Sequence, residues 1–156
     1  MVQNKKSNKN RKIHRKTQKK RIPPNNPFSQ NSHTRHIVKI FIEILNMVKL
    51  YHWKTRSYAQ HKATDELYAK LNEHIDTFVE VLLGKTESRI KSLEDNLPLI
   101  NVNTVDDFKE RVYEYRDFLI DMNIYLDSKK DTDLLNIRDE LLGDINQFLY
   151  LMTFDK

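Results

Sequence analysis

Two histidines and three carboxylates within residues 50–85 have the spacing of a metal-binding set. They are His52, His61, Asp65, Asp76 and Glu80. The last four follow one another at intervals of four, eleven and four residues. On an α-helix, which turns about 100° per residue, all four therefore lie within about 100° of one another. Imidazole and carboxylate ligands without thiolate favour Fe(II) or another borderline divalent ion.

The predicted ligands point away from the apolar stripe of the same helix. That stripe consists of Leu67, Leu71, Ile75, Phe78 and Leu82. Its steps of three and four residues are typical of a helix that packs on a core. Val79 and Leu83 lie among the ligands instead. An outward face that mixes carboxylates, a histidine and aliphatic side chains predicts contact with another subunit, and the ligands then form half of an intersubunit metal site.

Each of these residues also has an ordinary structural interpretation. His52 lies at the edge of the apolar stripe of the preceding helix, where a histidine is commonly a packed, hydrogen-bonded residue. Carboxylates four residues apart are common on solvated helix faces. Trp53, the only tryptophan, is normally a core anchor, although beside a metal site it could intercept oxidising equivalents. The metal interpretation depends on the five residues taken together with a basic N-terminal arm.

The charge of the chain is divided between this arm and an acidic body. Overall, 27 basic and 22 acidic residues give a net charge of +5. Residues 1–32 hold ten basic side chains and no acidic one, which leaves 17 basic and 22 acidic residues, or −5, in residues 33–156. The ten are Lys5, Lys6, Lys9, Arg11, Lys12, Arg15, Lys16, Lys19, Lys20 and Arg21. A segment with so few apolar residues cannot offset its ordering entropy, so we expect residues 1–32 to be disordered.

The composition of the arm predicts binding to nucleic acid. Contacts between its Lys and Arg side chains and phosphates would make binding salt-dependent and independent of base sequence. No aromatic residue is interleaved among the charges to stack on bases. DNA and RNA both fit, and the same charges also fit a nuclear-import signal or contact with a membrane surface.

Composition excludes several other classes of protein. The chain contains no cysteine, which rules out disulfides and thiolate zinc sites. No apolar run is long enough to cross a bilayer, and no apolar segment of a signal peptide follows the basic N-terminus. We expect a soluble, intracellular protein without a membrane partner, located in the cytoplasm, the nucleoid or, if it is viral, the virion or viral factory.

Hydrophobic periodicity predicts four amphipathic helices and no strand. Their approximate ranges are 34–55, 61–95, 104–126 and 134–152. Only residues 97–103 then connect the second helix to the third, which leaves open whether two helical hairpins join end to end or by a crossover. The prediction is an all-α four-helix bundle over residues 33–156.

Three motifs within this bundle together resemble a known ferroxidase site. They are Tyr51-His52-Trp53, His61-xxx-Asp65 and Asp76-xxx-Glu80. The site is that of the Dps proteins, which are DNA-binding mini-ferritins of bacteria. Residues 131–135 and 144–152 are similar to the last helix of that family, so the resemblance covers about residues 34–154. The stretch 57–68 is also similar to uncharacterised small proteins of giant DNA viruses.

The resemblance implies a ferritin-like four-helix bundle that stores iron. His52, His61 and Asp65 of one subunit would bind Fe(II) together with Asp76 and Glu80 of its two-fold partner. Peroxide or dioxygen would oxidise the iron, and twelve subunits would form a hollow shell around ferric mineral that protects against oxidative stress. The basic arm, which many members share, would bind DNA.

Two features depart from the Dps pattern. The link between His52 and His61 is shorter than usual, which questions the reach of His52 into the site. The connection after the second helix is too short for the small extra helix that most members place at their dimer contact. The alternative is therefore a non-enzymatic DNA-compacting or virion-structural protein that kept the bundle and lost the chemistry, with a helical adaptor carrying an import signal as a third hypothesis.

Overall fold

The computed structural model of the protein contains four α-helices. It describes residues 27–90, 97 and 99–154, with side chains from residue 32 onward. The helices are α1 (Pro27–Lys54), α2 (Tyr58–Lys85), α3 (Val105–Asp121), which a 3-10 turn extends over Met122–Ile124, and α4 (Thr132–Leu151). These residues include no strand, so the predicted all-α class is confirmed. The ten basic side chains of the predicted arm lie outside the described residues.

The helices form a bundle in which neighbours are antiparallel. The contacts of α2 with α4, in order along α2, are Lys70–Gln147, His74–Asp144 and Lys85–Asp133. Those of α1 with α3, in order along α1, are Phe41–Phe118, Glu43–Tyr115 and Tyr51–Phe108. In both series the numbers rise on one helix and fall on the other. The helices in the pairs α1–α2 and α3–α4 are antiparallel because only a short connection joins them.

The end of α2 and the start of α3 lie at opposite ends of the bundle. Both helices contact α1 and α4, so α2 and α3 lie on a diagonal and point the same way. The end of α2 and the start of α3 are therefore at opposite ends, about 40 Å apart for a helix of this length. The 19 residues between the two helices, 86–104, are enough to connect these ends, since an extended chain covers about 3.3 Å per residue. At the far end, Lys54 Nζ donates to Val102 O over 2.7 Å.

The predicted apolar stripes form the core of this bundle. All five stripe residues of α2 are at most 7% exposed. Phe78 of α2 packs edge-on against Phe41 of α1, with ring centroids 5.3 Å apart. Tyr51 stacks on Phe108 of α3 with centroids 3.9 Å apart and planes within 3°. Because these contacts fix the inner face of α2, the predicted ligands are left on its outer face.

Helix α2 ends at residue 85, and the prediction that it reaches residue 95 was wrong. A Schellman motif ends it: the Glu87 N–H donates to Gly84 O, and the Ser88 N–H donates to Leu83 O. Glu87 has a φ of 47°, in the left-handed region that glycine usually occupies at this position. The sequence therefore carries no glycine signal where the helix stops, and the connection to α3 is longer than the predicted residues 97–103.

Helix α1 begins at Pro27, earlier than the predicted start near residue 34. Proline suits the first helical position because its φ is already helical and its missing N–H is not needed there. Residues 27–32 of the predicted arm are therefore helical, whereas the prediction of disorder for residues 1–26 falls outside the described residues. Among the helices described, none combines the length and apolar character needed to cross a membrane.

Candidate metal centre

A tight hairpin brings the end of α1 against the first turn of α2. Only residues 55–57 separate the helices, and Ser57 caps α2 by accepting a hydrogen bond from the Gln60 N–H over 3.3 Å. His52 and His61, which we call the histidine pair, consequently stack with ring centroids 3.9 Å apart and planes 23° apart. The short link thus brings the two histidines together.

The two histidines fix each other's tautomer. His52 Nδ1 lies 3.1 Å from His61 O, and His61 Nδ1 lies 3.1 Å from His52 O. A carbonyl oxygen can only accept, so each Nδ1 carries a proton and donates it. In the neutral form of each ring, Nε2 then keeps the lone pair. Metal-bound histidines commonly use such a bond from the other ring nitrogen to hold the ring in place.

Asp65 places a carboxylate next to the histidine pair. It lies one helical turn after His61, and its Oδ1 is 4.0 Å from His52 Nε2. An ion bound to both atoms would require them about 3–3.6 Å apart. The Asp65 side chain is 53% exposed, so its carboxylate is accessible from solvent. The structure therefore places the Asp65 carboxylate beside His52, on the first turns of the same hairpin.

Buried polar side chains support the histidine pair from inside the bundle. Thr64 Oγ1 lies 3.3 Å from His52 Nδ1 and donates to Gln60 O over 2.7 Å. Gln60 Oε1 in turn accepts from Tyr51 OH over 2.7 Å and from Thr55 Oγ1 over 2.6 Å. The sequence analysis missed this network. The spacing of the residues carried a signal for it, because positions 60 and 64 lie on the same helix face as the apolar stripe of α2 and extend that face toward the N-terminus.

Asp76 and Glu80 lie apart from the other predicted ligands. Both are exposed, and at 1.5 Å per residue they lie about 16 Å and 22 Å further along α2 than Asp65. One chain therefore does not bring all five residues together. Over the described ranges, no group of three or more His, Cys, Asp or Glu side chains is arranged to hold a metal ion.

Trp53 lies on the surface beside the histidine pair. It is 67% exposed, so the expectation of a core anchor was wrong. Lys49 Nζ lies 5.7 Å from the centroid of the Trp53 ring and 4.7 Å from that of Tyr68 on α2. Cation–π attraction thus links α1 to α2 across this surface. The outer face of the hairpin consequently presents a large apolar side chain next to the predicted ligands.

The fold and this site define a four-helix protein with a stacked histidine pair at its first hairpin. The chain belongs to a family of unknown function, DUF5856, whose model matches residues 52–152. The matched range begins at His52 and includes the other four predicted ligands, whereas the basic arm lies outside it. No curated protein and no solved structure matches the chain.

Proposed function

We propose that this chain is the subunit of a Dps-like mini-ferritin, which binds and oxidises Fe(II) between subunits, stores ferric iron and binds DNA through its basic arm. The histidine pair carries the proposal. His52 and His61 each donate from Nδ1 to the other's carbonyl and so keep Nε2 available as a ligand. With the neighbouring Asp65 carboxylate, they form a ligand set that suits Fe(II).

The connectivity of the bundle supports this proposal. A single long crossover is characteristic of ferritin-like bundles, whereas bundles with only short loops run up and down in sequence. Residues 86–104 provide that crossover between α2 and α3. The sequence analysis predicted a connection too short for the Dps pattern because it placed the end of α2 at residue 95, whereas the helix ends at residue 85.

In this proposal, the remaining ligands come from a second copy of the chain. Asp76 and Glu80 are exposed on the same side of α2 as His61 but too far along the helix to reach it. A two-fold axis across this face reverses the direction of α2 and sets the two carboxylates of one subunit against the histidine pair of the other. The same contact would cover Trp53, which is 67% exposed. The Dps resemblance implies a shell of twelve subunits built from such dimers.

Iron is the substrate of the proposed site. Each Fe(II) loses one electron, so two Fe(II) reduce one hydrogen peroxide, which takes up two protons and leaves as two waters. Dioxygen is the alternative oxidant. The carboxylates of Asp65, Asp76 and Glu80 supply negative charge that favours the ferric product, while the imidazoles favour Fe(II). The protein residues hold the iron and keep the ligand atoms oriented.

The test is Fe(II) oxidation by the purified full-length chain, with peroxide and with dioxygen. We expect oxidation faster than in buffer, and about 10-fold or more slower in Asp65→Ala and Asp76→Ala, since even indirect changes at metal sites have effects of this size. Asp117→Ala is the control, because Asp117 is an exposed carboxylate on α3, away from the outer face of α2. Sedimentation should show an oligomer. A strict monomer, or oxidation unchanged in both site variants, would contradict the proposal.

A non-enzymatic DNA-compacting or virion-structural protein is the second candidate. The observation that favours it is that no three ligating side chains converge in the described part of one chain. Salt-dependent DNA binding that requires residues 1–22, combined with Fe(II) oxidation no faster than in buffer, would support this candidate. The charge of −5 on the rest of the chain predicts that the truncated protein does not bind DNA.

A further inference from the structure

A third histidine, His74, lies at the contact between α2 and α4. Its Nδ1 is 2.8 Å from Asp144 Oδ2, and the two side chains are 26% and 13% exposed. The carboxylate accepts the hydrogen bond, so Nδ1 carries the proton and donates it. The neutral ring then has its lone pair on Nε2. His74 is thirteen residues after His61, which places it about 20 Å further along α2 and on another face of the helix.

The Nε2 atom of His74 faces a second carboxylate. Glu140 Oε2 lies 3.6 Å away, and its side chain is 61% exposed. This separation is longer than a hydrogen bond. If the ring is neutral, the lone pair of Nε2 and the negative carboxylate oxygen face each other across 3.6 Å, which is unfavourable. A cation at this point, either a proton on Nε2 or a metal ion, removes the repulsion.

The separation of the two atoms suits a divalent metal ion. Zinc binds imidazole nitrogen at about 2.0–2.1 Å and carboxylate oxygen at about 2.0–2.2 Å. With bonds of these lengths, ligand atoms 3.6 Å apart subtend an angle of about 120° at the metal, close to the tetrahedral value. Because Glu140 is mostly exposed, water can complete the coordination from the solvent side.

Asp144 holds the imidazole in the orientation that a metal requires. A carboxylate that accepts from the non-ligating nitrogen is a common outer partner of metal-bound histidine. Lys70 Nζ lies 3.9 Å from the other oxygen, Asp144 Oδ1, and so does not compete for Oδ2. The ammonium group is itself partnered by Glu66 at 3.0 Å and by Gln147 at 2.8 Å. Its charge near the site is therefore largely compensated.

We propose that His74 Nε2 and Glu140 bind a divalent cation of the zinc type, which connects α2 to α4, and that Asp144 is the positioning residue. This site is separate from the histidine pair and does not depend on iron oxidation. It differs from the intersubunit site in that both protein ligands come from one chain. It holds an ion that stabilises the bundle rather than one that reacts.

The test is a Zn²⁺ titration of the full-length chain against a chromophoric chelator, in a His61→Gln, Asp65→Asn background that removes two ligands of the competing site. We expect one zinc per chain, with affinity at least about 10-fold lower in His74→Gln and in Glu140→Gln, and weaker binding in Asp144→Asn. Zinc should also raise the Tm of the background protein and not that of Glu140→Gln, because only binding to the folded state stabilises it.

Asp139→Asn is the matched control, since Asp139 is an exposed neighbour of Glu140 whose carboxylate accepts from Arg138 Nε over 2.7 Å. Its zinc affinity should be unchanged. In the ¹⁵N spectrum of the imidazoles, zinc should shift the resonance of His74 Nε2 and leave Nδ1 protonated. This measurement uses protein that contains His74, so it remains a test even if the His74→Gln variant folds poorly. No zinc-dependent shift of His74, or equal affinity in Glu140→Gln, would overturn the proposal.

Discussion

The hairpin between α1 and α2 and the contact between α2 and α4 both hold an imidazole by its Nδ1, but with different partners. At the hairpin, His52 and His61 donate to each other's backbone carbonyl. At the contact, His74 donates to the Asp144 carboxylate 70 positions away. In both places Nε2 faces a carboxylate, at 4.0 Å from Asp65 and at 3.6 Å from Glu140.

The difference lies in what holds each imidazole in place. Backbone carbonyls hold the histidine pair, so the geometry there depends on the packing of two helices and not on the ionisation of a side chain. The contact of His74 consists of charged and partly exposed groups, which give less stability because water and salt screen them. Damage to the core should therefore disturb the hairpin, whereas a change of charge should disturb the α2–α4 contact.

The largest expected effect is the loss of the ring beneath the hairpin. Phe108 is 0% exposed and stacks on Tyr51 at 3.9 Å. Phe108→Ala removes that support and leaves a cavity, which costs about 3–5 kcal/mol of unfolding free energy. Urea denaturation measures the loss. Phe154→Ala, which truncates a ring that is 66% exposed, should change stability by less than about 0.5 kcal/mol, and equal losses in the two variants would contradict the packing argument.

A smaller effect is expected from the polar network of the hairpin. Gln60→Leu removes the acceptor of Tyr51 OH and Thr55 Oγ1. At about 0.5–1.5 kcal/mol for each hydrogen bond, we expect a loss of about 1–3 kcal/mol. Gln147→Leu makes the same chemical change at the α2–α4 contact, where Gln147 is exposed and accepts from Lys70, so its effect should stay below about 0.5 kcal/mol. If Gln147→Leu proved as costly, the contrast between the two regions would be wrong.

The fold was predictable from the sequence because its signal is periodic. Every apolar residue predicted for the inner face of α2, such as Phe78, is buried. The crossover was not predictable, since it depends on a Schellman motif with Glu87 at the left-handed position. Because the residue there is not glycine, the sequence does not indicate that the helix ends. Placing the end of α2 ten residues too late left the connectivity of the bundle undetermined.

The candidate sites divide in the same way. His61 and Asp65 share a helix, so their common face followed from spacing alone, and the outward direction of Asp76 and Glu80 followed with them. The pairing of His74 with Asp144 joins residues 70 positions apart. Nothing in the local sequence indicates which turn of α4 meets which turn of α2, because that register depends on how both helices pack on the core.

The smallest expected effect is a difference in acid sensitivity at the α2–α4 contact. Lys85 Nζ donates to Asp133 Oδ1 over 2.7 Å, and this bond lowers the pKa of the Asp133 carboxyl below its ordinary value. A carboxyl whose pKa is lower in the folded state contributes stability above its unfolded pKa of about 3.9, and the contribution disappears as the pH falls through the folded pKa. Asp133→Asn should therefore lie below the wild type in stability near pH 6 and converge with it at about pH 2–3.

Lys85→Met provides the reciprocal test of this pH dependence. Without the ammonium group, the hydrogen bond that lowers the pKa of Asp133 is lost. In the Lys85→Met background, the stability change caused by Asp133→Asn should therefore be nearly the same at pH 6 and at pH 3. Because both side chains are partly exposed, 1 M salt should reduce the difference in stability between the wild type and Asp133→Asn near pH 6. Gln60→Leu, whose lost bonds join uncharged groups, should instead show the same deficit at both pH values. A pH-dependent deficit in Gln60→Leu would mean that the hairpin, too, is held by charge.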